Sequence, residues 1–312
     1  MEWTERIGRR LRLRDLHILM AVADTRSMSK AAEKLAVSLP VISKAIADLE
    51  RMLDLRLLDR SPHGVEPTPY GRALLASGAA AFDELRQGVR QIEFLSNPTV
   101  GEVRIGCNEP FAAGLLPAII DKMGRQYPKI VCHVVQTPTA PTLEFRELRE
   151  RRVDLVVARY TEPIGENDLQ TQFLYHERLH VVAGRRSKWA HRQRITLSEL
   201  ANEPWLMTPS GTLPTELIAE AFAARDLPLP RAAVVSLSIH LRNALLPSGR
   251  YLGVLPGSLL RYGALSKAVK VLPVDFPAEP RPVGIVTLKN RTMSAVGDLF
   301  IKVARLVAKP LT

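Results

Sequence analysis

The first fifty residues carry apolar side chains at helical spacing, and this pattern predicts three short helices. The first runs from about Leu13 to Asp24 and the second from Met28 to Leu35, with Ser27 placed to cap its start. In the third, apolar residues recur at steps of four, three and four, which puts them on one face. These residues are Ile42, Ile46, Leu49 and Leu53.

The opposite face of the third helix is small, polar and positively charged. It carries Pro40, Ser43, Lys44, Ala47 and Arg51. We expect Ser38 to cap this helix, with Pro40 in the first turn, where no N–H is needed. Alone, such a segment would equally suit an ordinary surface helix. Two short helices before it and a tight turn at Ala36-Val37-Ser38 instead predict a helix-turn-helix, whose third helix enters the major groove of DNA.

A wing and a long helix follow. Two short extended runs flank His63-Gly64, and Gly64 suits a turn that needs positive φ. From Gly71 to Ser96 the chain lacks Pro and predicts one helix, which Asn97-Pro98-Thr99 ends. Two seven-residue series form a heptad seam along it, and we expect this seam to be a dimer interface. Its members are Leu75, Gly78, Phe82, Leu85, Val89 and Ile92.

Beyond Val100 the pattern alternates between strands and helices. This order predicts an α/β domain whose binding crevice lies at the carboxyl ends of its strands. The predicted strands are 103–107, 130–135, 154–159, 178–183, 205–207, 233–236, 253–255, 269–274 and 282–288. The predicted helices are 114–125, 143–152, 198–201, 213–225, 239–246 and 293–308.

The run SMSKAAEKLAVSLPVISKAIADLERMLDLRLLDRSPHGVEPTPYGRALL resembles the DNA-binding domain of LysR-type transcriptional regulators. The resemblance covers about Leu11 to Leu75 and includes AAEKL, S-x-P-x-x-S-K, L-D-R and T-P-x-G. One departure is Leu39, where the family commonly has Gln. Leu cannot contact adenine through an amide, although it can touch a thymine methyl group. The candidate DNA contacts are Ser29, Lys30, Ser38, Leu39, Pro40, Ser43, Lys44, Ala47, Arg51, Arg60, His63 and Thr68.

The resemblance also implies a domain plan. It assigns residues 1–70 to a winged helix-turn-helix, 71–96 to a dimerisation linker helix and 100–312 to an effector-binding domain. The last resembles the type 2 periplasmic-binding-protein fold, with lobe I at about 100–163 and 269–308 and lobe II at about 164–268. The expected fold is thus multidomain, all-α at the N-terminus and two-lobed α/β thereafter. The expected function is that of a sequence-specific transcriptional regulator controlled by a small molecule.

Composition adds limits to this picture. At 312 residues the chain suits two or three domains, and it has no apolar run of 18 residues. Two cysteines imply no disulfide framework, so we expect a reducing cytoplasm, and the N-terminus lacks a signal-peptide core. The net charge is +11, yet residues 1–100 contribute only 15 basic against 13 acidic residues. DNA binding must therefore depend on where charges lie, including the arm Arg9, Arg10, Arg12 and Arg14, which is otherwise a solvated face.

No catalytic group stands out, so we expect no enzymatic activity. We also expect no bound metal and no cofactor other than the small-molecule effector. Cys107 ends a predicted strand, where a buried thiol is the default and a redox-sensing role the alternative. The rival interpretations are a two-lobed solute-binding or transport protein, or an enzyme, with an accessory DNA-binding module. The absence of a signal peptide and of a nucleophile–base pair argues against them.

Short polar groups after the predicted strands are the candidate effector contacts. They are Asn108, Thr137, Thr139, Arg159, Ser210, Thr212 and Ser238. Helix starts with free N–H groups bind carboxylates, so we expect an organic anion. The alternative is that each hydroxyl only caps its own helix, and that Arg159 pairs with a structural carboxylate. The expected partners are double-stranded promoter DNA, further copies of the chain as a homodimer or homotetramer, and RNA polymerase if the protein activates transcription.

Overall fold

The structure is a computed structural model that describes residues 11–61, 64–138, 145–160, 165–276 and 279–311. The chain forms two compact units, one reaching Val89 and the other starting at Arg90. No helix in the described residues is both long and apolar enough to cross a lipid bilayer.

The N-terminal unit contains the predicted helix-turn-helix and wing. Its elements are α1 (Leu13–Thr25), α2 (Met28–Lys34), α3 (Leu39–Leu53), β1 (Leu58–Ser61), β2 (Gly64–Pro67) and most of α4 (Pro69–Ser96), whose last residues belong to the second unit. Leu19, Ile42 and Ile46 are fully buried in the core, as the apolar periodicity predicts. Ser27 caps α2 by accepting a hydrogen bond from the Lys30 N–H at 3.3 Å. The predicted Ser38 cap is wrong, because the Ser38 side chain accepts no hydrogen bond at the start of α3.

The wing is an antiparallel pair of strands fixed to the end of α1. Gly64 has φ of +125°, and its neighbour Val65 donates a backbone hydrogen bond to the Arg26 carbonyl at 3.0 Å. A Cβ atom at Gly64 would lie 2.9 Å from that carbonyl oxygen. Glycine is therefore needed here both for its backbone conformation and for the close approach.

The predicted heptad seam lies along the long helix α4, and its two halves have different surroundings. Leu75 packs against the core of the N-terminal unit, and the Phe82 ring lies 5.7 Å from the His17 ring of α1. Gly78 is also buried there, facing Leu16 and Met20. This first half is thus engaged within its own chain, which corrects the prediction of one continuous interface. The second half is an exposed apolar stripe, hereafter the linker stripe, formed by Leu85, Val89, Ile92 and Leu95.

The C-terminal unit is α/β and follows the predicted order closely. Its elements are β3 (Val100–Cys107), α5 (Glu109–Ala113), α6 (Leu115–Gln126), β4 (Lys129–Gln136), α7 (Arg146–Arg149), β5 (Leu155–Arg159), β6 (Leu169–Glu177), β7 (Leu179–Gly184), α8 (Leu197–Leu200), β8 (Trp205–Met207), α9 (Leu213–Ala223), β9 (Ala232–Val235), α10 (Ile239–Leu245), β10 (Leu252–Pro256), α11 (Gly257–Tyr262), β11 (Val269–Val271), β12 (Arg281–Leu288) and α12 (Ala295–Ala308). Short 3₁₀ turns lie at Lys188–His191, Leu246–Ser248 and Lys309–Leu311.

Two mixed five-stranded sheets define the two lobes. The lobe I sheet has the order β4-β3-β5-β12-β6, and the lobe II sheet has the order β11-β7-β10-β8-β9. The predicted lobe boundaries are therefore wrong at two strands. The unpredicted β6 belongs to lobe I because it pairs antiparallel with β12, and β11 belongs to lobe II because it pairs antiparallel with β7. The chain thus enters lobe II between Glu177 and Leu179.

A buried carboxylate fixes the strands that lead to the lobe I crevice edge. Asp154, just before β5, accepts hydrogen bonds at 2.7 Å from Arg104 of β3 and from Arg291. Burial alone would raise the pKa of Asp154, but the hydrogen bonds and charges of the two arginines lower it below its ordinary value. The middle of β3 and the amino end of β5 are thereby held together, which positions the carboxyl ends of both strands.

Candidate functional site

Most candidate DNA contacts on α2, α3 and the wing are accessible to solvent in the structure. The exposed candidates are Ser29, Lys30, Ser38, Leu39, Pro40, Lys44, Arg51 and Arg60. Ala47 is half-buried beside them. Arg51 is also paired with Asp48 at 2.7 Å, an exposed contact one turn away. An exposed pair of this kind contributes little stability, so the guanidinium can exchange Asp48 for a phosphate at low cost.

Three candidates differ from this pattern. Ser43 is half-buried, and its hydroxyl lies 3.8 Å from the Met28 sulfur. Thr68 is buried; its hydroxyl donates to the Arg56 carbonyl at 2.8 Å and accepts from the Gly71 N–H at 3.0 Å. That hydroxyl starts α4 and is not presented to DNA, so the structure argues against the predicted side-chain contact. His63 lies outside the described residues.

Lys44 gives the sharpest test of this surface. We expect Lys44→Ala to weaken operator binding by roughly 1–3 kcal/mol if the ammonium contacts a base. If it contacts only phosphate, affinity should fall for all sequences and the salt slope should drop by about one. Fluorescence anisotropy on operator and scrambled DNA at several salt concentrations separates the two. The matched control is Lys34→Ala, whose ammonium pairs with Asp24 at 2.5 Å. Equal affinities for the Lys44 variant and the parent would refute both versions.

In lobe I the predicted effector contacts converge. Strands β3, β4 and β5 are parallel neighbours, so their carboxyl ends meet at one edge of the sheet. The Thr137 N–H donates to the Cys107 carbonyl at 2.8 Å, which brings Thr137 beside Asn108. Arg159 ends β5 and lies over the Phe111 ring, 5.9 Å from its centroid. Thr139 lies outside the described residues.

In lobe II the predicted hydroxyls are mostly engaged internally. Ser238 caps α10 by accepting a hydrogen bond from the Leu241 N–H at 3.2 Å. The Thr212 hydroxyl donates to the Pro209 carbonyl at 2.7 Å and shares a hydrogen bond with Thr208. Ser210 is exposed on the same loop. For Ser238 and Thr212 the structure thus favours the capping and packing roles over a ligand contact.

Two charged residues, Glu109 and Arg242, lie where the lobes meet, and Arg242 was not among the residues selected from the sequence. Glu109 of lobe I accepts a hydrogen bond from the Ile239 N–H at the start of α10 in lobe II, at 3.0 Å. One turn along α10 lies Arg242, which is only 6% exposed. Its buried Nε has no hydrogen-bond partner in the described residues, and no carboxylate among them lies within ion-pair distance. Burial lowers the pKa of Arg242, and the charge of Glu109 partly offsets this.

Two lobe I residues beside Glu109 also have buried polar atoms without a hydrogen-bond partner in the described residues. Asn108 and Thr137 are each 4% exposed, and the Asn108 Oδ1 and Thr137 Oγ1 atoms have no hydrogen-bond partner in the described residues. Buried polar atoms are nearly always paired, so these two atoms are candidate ligand contacts. We call Asn108, Glu109, Thr137 and Arg242 the junction site. A sequence signal for Arg242 exists, because it shares the apolar face of its helix with Ile239 and Leu246.

Other reactive groups have structural roles. The sequence reasoning missed an H-E-x-x-H run, His176 to His180, but the run spans the end of β6 and the start of β7 and is not helical. Its Glu177 is buried and hydrogen-bonded to the Tyr175 hydroxyl at 2.9 Å and the Ser258 N–H at 3.1 Å. No group of three or more potential metal ligands occurs in the described chain. Burial raises the pKa of Cys107 to about 12, which opposes thiolate formation and the redox alternative.

Two protein-family domains match the chain. The LysR substrate binding domain matches residues 96–308. The bacterial regulatory helix-turn-helix protein domain of the lysR family matches residues 13–72. Together they cover both units and confirm the resemblance predicted from the helix-turn-helix motif.

The chain is also similar to known regulators and to solved structures. The chain is 26% identical over 98% of its length to the uncharacterized HTH-type transcriptional regulator YdcI of Escherichia coli, covering 98% of that protein. It is 26% identical to the transcriptional dual regulator GltC of Bacillus subtilis, over 93% of this chain and 95% of that one. A full-length OxyR variant from Pseudomonas aeruginosa has a TM-score of 0.66 at 22% identity, over 97% of this chain and 98% of that one. Full-length CbnR complexed with its target DNA has a TM-score of 0.62 at 19% identity, over 95% and 100%. These two structures share the fold.

Proposed function

The chain belongs to the LysR family of bacterial transcriptional regulators, with a helix-turn-helix DNA-binding domain and an effector-binding domain, and from this premise we propose how it is controlled. An organic anion binds at the junction site. The anion contacts Arg242 of lobe II together with Asn108 and Thr137 of lobe I. Because it touches both lobes, it shifts their relative arrangement and thereby the DNA-binding state.

The observation that carries this proposal is the buried Arg242 guanidinium, which has no counter-ion among the described residues. A charge that is out of water and unpaired costs several kcal/mol, so such groups are paired or bind a ligand. Arg242 lies next to the contact that joins the lobes, between Glu109 and the α10 backbone. A carboxylate that binds here would gain a charge-assisted hydrogen bond in a desolvated place.

We further propose that the active form is a homodimer or homotetramer on promoter DNA. Exposed Lys44, Arg51 and Arg60 support a groove- and phosphate-contacting surface on α3 and the wing. The linker stripe supports self-association, because a monomer would leave four large apolar side chains in water along one helix face. If the regulator activates transcription, RNA polymerase is a further partner.

A thermal-shift screen on the full chain tests the anion proposal. Small carboxylic acids should raise the unfolding temperature, because binding only to the folded state stabilises it by RT ln(1 + [L]/Kd). Neutral sugars of similar size should not. Hits should also change operator affinity in anisotropy measurements. Stabilisation by compounds without a carboxylate group alone, such as the sugars, would overturn the proposal.

A further inference from the structure

The junction site presents acceptors as well as a cation. Asn108 Oδ1 is a buried acceptor with no donor among the described residues, and Thr137 Oγ1 can also accept. Glu109 adds a half-buried carboxylate, one of whose oxygens, Oε1, is held by the Ile239 N–H at 3.0 Å. An acceptor can be satisfied only by a donor, and a carboxylate supplies none.

The charges of Glu109 and Arg242 also favour a ligand that carries a hydrogen-bond donor. Glu109 acts electrostatically on Arg242, although the two are not within ion-pair distance. A simple anion at Arg242 would therefore sit near a second negative charge, that of Glu109, and this contact is repulsive in a desolvated site. A ligand that brings its own positive donor would remove this repulsion and satisfy the acceptors.

We infer that the ligand of the junction site is a zwitterion of the α-amino acid class. Its carboxylate binds Arg242, and its ammonium group donates to Asn108 Oδ1 and the Glu109 carboxylate. The inference rests on the proposed function, which supplies the anion site. It adds that the ligand must also donate hydrogen bonds to the acceptors of this site. It also gives Glu109 a role in specificity, because Glu109 discriminates between zwitterions and plain anions.

Matched ligands on the full chain test it. The probes are the L-α-amino acids, each compared with the carboxylic acid that lacks the ammonium and with the amine that lacks the carboxylate. For the amino acid that binds, calorimetry should show a Kd roughly 10- to 100-fold lower than for either analogue, since each analogue leaves a buried polar group unpaired. In Glu109→Gln this preference over the deamino acid should fall to a few-fold. The control Glu220→Gln changes an exposed carboxylate on α9 and should leave the preference intact.

The outcomes are distinguishable. Deamino acids that bind as tightly as the amino acids would overturn the zwitterion inference and leave the anion proposal standing. Discrimination that survives in Glu109→Gln would remove Glu109 from the specificity role. If no carboxylate of any kind binds in a manner that depends on Arg242, the proposed function fails and the inference fails with it.

Discussion

Replacing Arg242 by Met should abolish the effector response while leaving the folded regulator intact. The guanidinium is buried and lacks a counter-ion in the described residues. Loss of one partner of a buried charge pair costs about 2–5 kcal/mol, which corresponds to a Kd increase of roughly 30- to 4,000-fold for the carboxylate. Calorimetry with a ligand found in the thermal-shift screen measures this change directly.

The stability of the unliganded variant is the second part of this result. Replacing a buried ion pair by apolar side chains is often neutral or stabilising, by about 1–4 kcal/mol, and a buried charge without a partner carries the desolvation cost with no compensating attraction. We therefore expect the unliganded Arg242→Met protein to unfold at the same or a higher denaturant concentration than the parent. The matched control is Arg261→Met, an exposed arginine on α11 that should leave ligand binding unchanged. An Arg242 variant that is strongly destabilised yet still responds to ligand would contradict the assignment.

Local patterns were sufficient to predict the DNA-binding unit. Helices α1 and α2 end within one residue of their predicted ends, because each is specified by a short apolar repeat and, in α2, a serine cap. The α3 stripe of Ile42, Ile46 and Leu49 is buried as the spacing predicts. These features depend on neighbours a few residues apart, which a sequence pattern reports directly.

Pairings between distant segments were not predictable in the same way. Strand β6 was missed, and its partner β12 lies about a hundred residues further along the chain. Strand β11 was placed in the wrong lobe because nothing in Val269–Val271 identifies β7 as its partner. Glu109 and Arg242 show the same limit at the site, since their significance comes from a contact between residues 130 positions apart.

The linker stripe provides the other large expected effect. The double variant Leu85→Glu/Val89→Glu should lose self-association at concentrations where the parent is fully assembled. Both side chains are more than half exposed within one chain, so the substitutions leave the fold of the monomer unchanged. In an assembled interface the two carboxylates would be buried without partners, and the apolar contact would be lost as well. A combined cost of at least about 4 kcal/mol raises the dissociation constant roughly a thousand-fold.

Sedimentation velocity over a wide concentration range measures this dissociation constant, and circular dichroism checks the fold. The matched control is Arg86→Glu, which makes the same change of two charge units at one exposed position of the helix outside the stripe. The control should assemble like the parent, because surface charge alone changes association little at physiological salt. Since a dimer binds two operator half-sites, the stripe variant should also lose cooperative operator binding, while one DNA-binding unit still binds a single half-site weakly. Native assembly of the stripe variant at every concentration would show that another surface holds the subunits together.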